Sequence, residues 1–175
     1  MAATREERPP LVVVVMGVTG AGKTTIGTLL AKELGWDFYD ADAFHSAANV
    51  ERMRQGEALS DVDREPWLAA LEALIAQLLG SRRSGVLACS ALRADYRERL
   101  RRPGDTGPGD VRFVYLKIPL EEARRRLKKR VGHFMPASLV ESQFEALEEP
   151  HKVLPLDGTL PPAELVAAIR EGFGI

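Results

Sequence analysis

The chain has a single cysteine, Cys89, so no internal disulfide can staple it and a reducing compartment suits it. No apolar run approaches the ~18 residues that a membrane-spanning helix needs. The first ten residues, Met1 to Pro10, are charged and end in proline, which predicts a flexible N-terminus without the apolar centre of a signal peptide. Neither sign of charge dominates, with 24 Lys+Arg against 25 Asp+Glu, and a dedicated nucleic-acid binder normally shows a basic excess. The three histidines (45, 133 and 151) lack metal-ligand spacing, so no zinc site is expected. Asn49 is the only asparagine and is followed by valine, which removes the Asn-Lys-x-Asp signature of a guanine-binding switch. The Asp-x-x-Gly signature is missing as well. These absences predict a soluble cytoplasmic protein that takes neither nucleic acid nor membrane as partner. At 175 residues it is expected to form one domain, over residues 11–175.

What is present centres on Leu11 to Leu34. Leu11 to Met16 is a six-residue apolar run rich in valine, the pattern of a strand buried on both faces. It leads directly into Gly17-Val18-Thr19-Gly20-Ala21-Gly22-Lys23-Thr24, which fits G-x-x-x-x-G-K-[ST]. Thr25 to Leu34 then carries a helical stripe (Ile26, Leu29, Leu30, Leu34) stopped by Gly35. Glycines let the backbone approach an anion, and loop amides with the positive end of the following helix cradle phosphate oxygens. Lys23 is expected to reach the β- and γ-phosphates of ATP, and the Thr24 hydroxyl to bind Mg²⁺. Residues Gly17 to Thr24, together with Thr25, are thus the candidate nucleotide contacts.

Downstream, apolar runs alternate with helical patterns. Strands are expected at Trp36–Tyr39, Gly85–Cys89, Val111–Leu116 and Lys152–Leu156. Helices are expected at Ser46–Arg54, Asp63–Leu79 with Pro66 in its first turn, Ala94–Arg101, Leu120–Arg130, then, after a break over Val131 to Ala137, to about Leu147, and at Pro161–Phe173. Such alternation implies βαβ units: an α/β fold with a five-stranded parallel sheet between two helical layers. Ligands then sit at the carboxyl ends of the strands, where Asp40, Asp42, Ser90, Lys117 and Asp157 fall.

Asp40 and Asp42 are the paired carboxylates of that set. At i and i+2 they share one face, so one can help hold hydrated Mg²⁺ while the other accepts the proton of an attacking hydroxyl. The other strand ends near the loop offer no acidic residue for the metal. The run Arg124 to Arg130 admits three readings: a solvated basic face, a nucleic-acid patch, or a lid whose arginines fold onto the phosphates. We take the lid for Arg126 and Arg130, over about residues 124–137, and the solvated face for the others. Arg52, Arg54, Arg64 and His45 lie where a small kinase would clamp its acceptor, and an arginine fork suits a carboxylate or phosphate. Trp67, Leu68, Leu71, Leu74, Ile75 and Leu78 are read as core.

Taken together these residues resemble the gluconokinase family, in the shikimate-kinase-like branch of small P-loop kinases. The resemblance runs from Met16 to about Pro150. It is carried by the phosphate loop, Tyr39-Asp-Ala-Asp-Ala-Phe-His45, Leu59-Ser-Asp-Val-Asp-Arg-Glu-Pro-Trp-Leu68, Cys89-Ser-Ala-Leu-Arg-Ala-Asp-Tyr-Arg97, Gly132-His-Phe-Met-Pro136 and Ser142-Gln-Phe144. It implies a nucleoside-monophosphate-kinase-like fold with a lid, and often a homodimer. It also implies ATP-dependent phosphorylation of D-gluconate at the 6-hydroxyl, the nearest alternative being a kinase for shikimate or another small hydroxy acid. By the same resemblance Asp42 is the candidate base and Asp40 the magnesium-side carboxylate. His45, Arg52, Arg64 and Arg97 are candidate gluconate contacts, joined by His133 and Gln143. Arg126 and Arg130 would be lid arginines, and Asp157 would lie beside adenine. Arg93 stands where the family usually has lysine, a change that keeps charge but not geometry.

Overall fold

A computed structural model describes residues 8–101, 109–130 and 138–175. β1 (Leu11–Met16) is buried along its whole length, as its unbroken apolar run requires. It lies at the centre of a five-stranded parallel sheet, between β3 (Gly85–Ala88) and β4 (Asp110–Lys117). β2 (Asp37–Asp40) pairs outside β3, and β5 (Leu154–Asp157) outside β4. The expected α/β architecture, with helices on both faces of the sheet, is the observed one.

Alternation along β1 divides the core in two. Val13 and Val15 face α1 (Lys23–Leu34) through Ile26 and Leu30, and α7 (Pro162–Phe173) through Leu165 and Ile169. Ala123 and Leu127 of α5 (Leu120–Lys129) and Val140 of α6 (Ser138–Ala146) close the same layer. Val12, Val14 and Met16 face the other way, against Leu68, Leu71 and Ile75 of α3 (Asp61–Gly80) and Leu100 of α4 (Ala94–Arg101). The short α2 (Ala47–Arg54) follows a 3-10 turn, Ala41–Phe44, that hangs from the end of β2.

Boundaries moved by one or two residues, each for a physical reason. Helix α3 begins two residues before the expected Asp63, because Ser60 and Asp63 form a reciprocal cap: the Ser60 hydroxyl accepts from the Asp63 amide and the Asp63 carboxylate accepts from the Ser60 amide. Pro66 therefore falls in the second turn, where it removes a helical hydrogen bond, and the orphaned carbonyl belongs to Val62, which is 83% exposed to water. β5 starts at Leu154 rather than Lys152, whose φ of 56° leaves the extended region. Helix α1 starts at Lys23, because Gly22 (φ 93°) already occupies the cap position.

The order β2-β3-β1-β4-β5 sends the chain leftward after β1 and rightward after β3. The crevice between the carboxyl ends of these two neighbours is where such sheets bind ligand. Leu71 is fully buried in the α3 layer beneath that crevice. Leu71→Ala is expected to lower the unfolding free energy by about 2–5 kcal/mol. A shifted urea midpoint at unchanged slope would show it, whereas a loss below ~1 kcal/mol would contradict this packing.

Candidate active site

The phosphate loop leaves β1 at Gly17, whose amide donates to the Ser90 carbonyl at 3.4 Å and so ties the ends of β1 and β3 together. A Cβ at Gly17 (φ 150°) would sit 2.8 Å from the Leu116 carbonyl oxygen of β4, so only glycine fits the exit. Gly22, in the left-handed region, opens α1 without a side-chain cap, which leaves the first helix amides to an outside acceptor. Val18 and Ala21 are buried and contribute backbone alone, while Thr25 is exposed on the first turn of α1. The Lys23 ammonium folds back onto the Val18 carbonyl at 2.9 Å. The Thr24 hydroxyl donates to Asp40 at 2.9 Å.

Asp40 is held on both oxygens, because its second one accepts from the Asp42 amide at 3.0 Å. The carbonyl between the two aspartates, that of Ala41, accepts from the Trp67 indole at 2.8 Å in a buried hydrogen bond. Trp67 stacks in turn on His45, with ring centroids 4.7 Å apart and planes within 6°. The side chain read only as core thus also supports the turn that carries both carboxylates.

A cleft of about 250 Å³ opens above these groups. Of the expected site residues, Thr19, Gly20, Gly22, Lys23, Thr24, Asp40, Asp42, His45, Arg64, Arg130 and Gln143 line it together. The Gln143 side-chain Oε1 accepts from the Thr19 amide at 2.6 Å, so α6 braces the loop. Burial lowers the pKa of Lys23 against the opposing pull of Asp42 and Asp40. Burial, with the charge of Arg64 nearby, takes His45 down to about 4, so its imidazole is neutral. Burial raises Cys89 to about 12 and keeps its thiol protonated.

Other expectations are placed elsewhere. Arg97, expected as a substrate contact, is buried off the cleft wall and donates to the carbonyls of Ala91 (2.8 Å), Leu92 (3.0 Å) and Glu148 (3.0 Å). A guanidinium so committed is a structural clip. Arg52 also stays off the cleft wall, held by Glu57 and Asp63 at 3.0 and 2.9 Å. Arg126 is docked, with donors on Glu122, on the Gly20 carbonyl (3.0 Å) and on the Gly158 carbonyl (2.8 Å). It thereby joins the phosphate loop to the turn after β5, where Asp157 accepts from the amide and hydroxyl of Thr159. The helical part of the expected lid is therefore regular α5, and Arg124 and Arg125 are ion-paired to neighbouring glutamates. His133 and the rest of the expected lid, residues 131–137, lie outside the described residues. Arg93 and Tyr96 also line the cleft, although the sequence reading, which names Arg93 only for its departure from lysine, gives neither a site role. The signal for both is position, just past the end of β3 and beyond Ser90.

Residues 12–154 match the family described as an AAA domain. A gluconokinase of Gluconobacter oxydans (strain 621H) is 48% identical over 141 residues, covering 81% of this chain and 77% of that one. A gluconokinase of Arabidopsis thaliana is 44% identical, over 91% of this chain and 90% of its own. Among solved structures, a gluconokinase from Sinorhizobium meliloti 1021 superimposes with a TM-score of 0.80 at 39% identity, covering 96% of this chain and 94% of that one.

The His45 pKa of about 4 lies below the 6.5 of an exposed imidazole, so between these values the unfolded chain binds more protons than the folded one. Stability from this group is fully present above about pH 6.5 and is lost as pH falls toward 4. His45→Gln is expected to flatten the fall of unfolding free energy with pH across that window. Equal slopes for parent and variant, read by urea unfolding at stepped pH, would show that His45 is not desolvated.

Proposed function

This chain belongs to the gluconokinase family of P-loop kinases, and from that membership we propose that it transfers the γ-phosphoryl group of ATP to the 6-hydroxyl of D-gluconate. The observation that carries the reading is the convergence of a phosphate loop, two carboxylates and cationic side chains on one cleft. A switch protein needs the first of these but has no use for an acceptor pocket lined by His45 and Arg64.

In this reading the loop amides and Lys23 grip the β- and γ-phosphates, and Lys23 leaves the Val18 carbonyl to do so. Asp42 accepts the proton of the 6-hydroxyl as its oxygen bonds to the γ-phosphorus. The bond from that phosphorus to the β-bridging oxygen breaks, and ADP departs with the electron pair. Arg130, on the cleft wall and close enough to Lys23 to act on its charge, faces the negative charge that builds on the transferring group. Arg126 holds the loop against the turn after β5, and so fixes the wall on which the base of the nucleotide rests.

The Thr24 hydroxyl and the Asp40 carboxylate, 2.9 Å apart, are hard oxygen donors of the kind magnesium takes beside phosphate oxygens. Asp40 is pre-set by its second hydrogen bond and so fits that role. A magnesium ion held by these two residues would supply charge neutralisation for the phosphate groups. His45, neutral and stacked on Trp67, presents a hydrogen-bonding edge to a polyol hydroxyl without adding charge.

A coupled ADP-release assay over gluconate, idonate, gulonate and shikimate tests the substrate. Gluconate is expected to give the highest kcat/KM, and a preference for shikimate would overturn the reading. Asp42→Asn is expected to cut kcat by a factor of ~10²–10⁴, as loss of a general base does, with ATP affinity little changed. A defect confined to ATP affinity would move Asp42 to the nucleotide side.

A further inference from the structure

Two guanidiniums stand on the cleft wall away from the phosphate loop: Arg64 in the first turns of α3 and Arg93 just before α4. They meet at Asp61. Arg93 Nη1 lies 3.2 Å from its carboxylate and Arg64 Nη1 lies 4.0 Å from it. The Tyr96 hydroxyl donates to the same carboxylate at 2.8 Å and accepts from Arg64 at 3.5 Å, and the Arg93 guanidinium covers the Tyr96 ring at 5.6 Å. Asp61 and Asp95, which hold Arg93, do not line the cleft and are 62% and 60% exposed, so water screens them. Arg93 Nη2, and Nε and Nη2 of Arg64, have no hydrogen bond within the described residues.

The order along the wall follows from hydrogen bonds and from which charges act on which groups. Lys23 feels Asp42 and Asp40, the Asp42 carbonyl accepts from the His45 amide at 3.4 Å, His45 feels Arg64, and Arg64 meets Tyr96 beneath Arg93. The acidic groups that serve the attacking hydroxyl and the arginine pair are thus separated by the His45–Trp67 stack. Glu57, also on the wall, is paired with Arg52.

The loop that delivers Arg93 is rigid. Ala91 is held at φ 45°, and the carbonyls of Ala91 and Leu92 are gripped by buried Arg97, while the Leu92 carbonyl also accepts from the Glu148 amide. A non-glycine residue at positive φ persists where its surroundings over-determine it. Arg97 is one turn from Arg93 and acts through it.

We infer that Arg93 and Arg64 form the seat for the carboxylate of the acceptor, and that Arg93 decides between a sugar acid and a neutral polyol of the same length. This rests on the sugar-acid reading above. A carboxylate at one end of the acceptor takes the free guanidinium donors, while the alcohol at its other end reaches Asp42. The planar fork gives Arg93 a second donor that a lysine would lack.

Calorimetric binding of gluconate and of D-glucitol to parent, Arg93→Gln and Arg93→Lys tests the inference, with turnover measured in parallel. Arg93→Gln is expected to weaken gluconate by about 10- to 100-fold, the worth of a charge-assisted hydrogen bond, while D-glucitol affinity and the KM for ATP stay within about twofold. Arg93→Lys is expected to restore part of the loss. Gluconate affinity unchanged in Arg93→Gln, or both ligands weakened by one factor, would overturn the seat. Failure of the parent to phosphorylate gluconate would overturn the function instead, and the binding comparison would still read the seat.

Discussion

A carbonyl of β4 occupies the space that a side chain at residue 17 would need, and much of the site follows from that crowding. β1 and β4 are paired through Met16 and Tyr115, so the chain leaving β1 must pass directly over Leu116. Glycine alone can make the turn, and the next residues then run bare backbone beneath the cleft. Gly20 is pressed from the other side by α5, whose Arg126 grips its carbonyl. The anion cradle is thus a by-product of how tightly a buried parallel sheet packs at its carboxyl end.

The same packing sets the electrostatics. Burial drives Lys23, His45 and Cys89 toward their neutral forms, and Asp42 and Asp40 oppose the drift at Lys23 while reinforcing it at Cys89. Partial exclusion of water from the cleft strengthens each charge interaction inside it, which suits a reaction whose barrier is mostly unfavourable charge on phosphate oxygens. Asp40 illustrates the preorganisation: both its oxygens are already engaged, by Thr24 and by the Asp42 amide. Trp67 fixes the intervening carbonyl, so the carboxylate pair hangs from α3 as much as from β2.

Arginine is where placement departs most from local reading. Arg93 and Arg97 are four residues apart, yet one stands on the cleft wall and the other is buried under three carbonyls. Helical spacing puts them on one face and cannot say that the second turn of α4 lies beneath the chain at Glu148. Arg52 and Arg64 differ in the same way, since Asp63 captures the first and leaves the second on the cleft wall. Ion pairs on the exposed face of α5 add little to stability, as water-screened pairs rarely do.

The run of valines, the glycine-spaced loop and the α3 stripe determined by themselves that a buried strand, an anion cradle and a core helix exist, because each is encoded within one element by its period. Ser46 marked a helix start for the same local reason, a hydroxyl within reach of the amide three residues on, whereas the Ser60 cap of α3 came only with the structure. Only the tertiary structure decided that β3 enters between β1 and β2, and that Gln143 and Arg126 reach the loop from distant helices. It also decided which arginines keep free donors. Those outcomes depend on which surfaces meet, and pairing between residues far apart in the chain leaves no periodic trace in either partner.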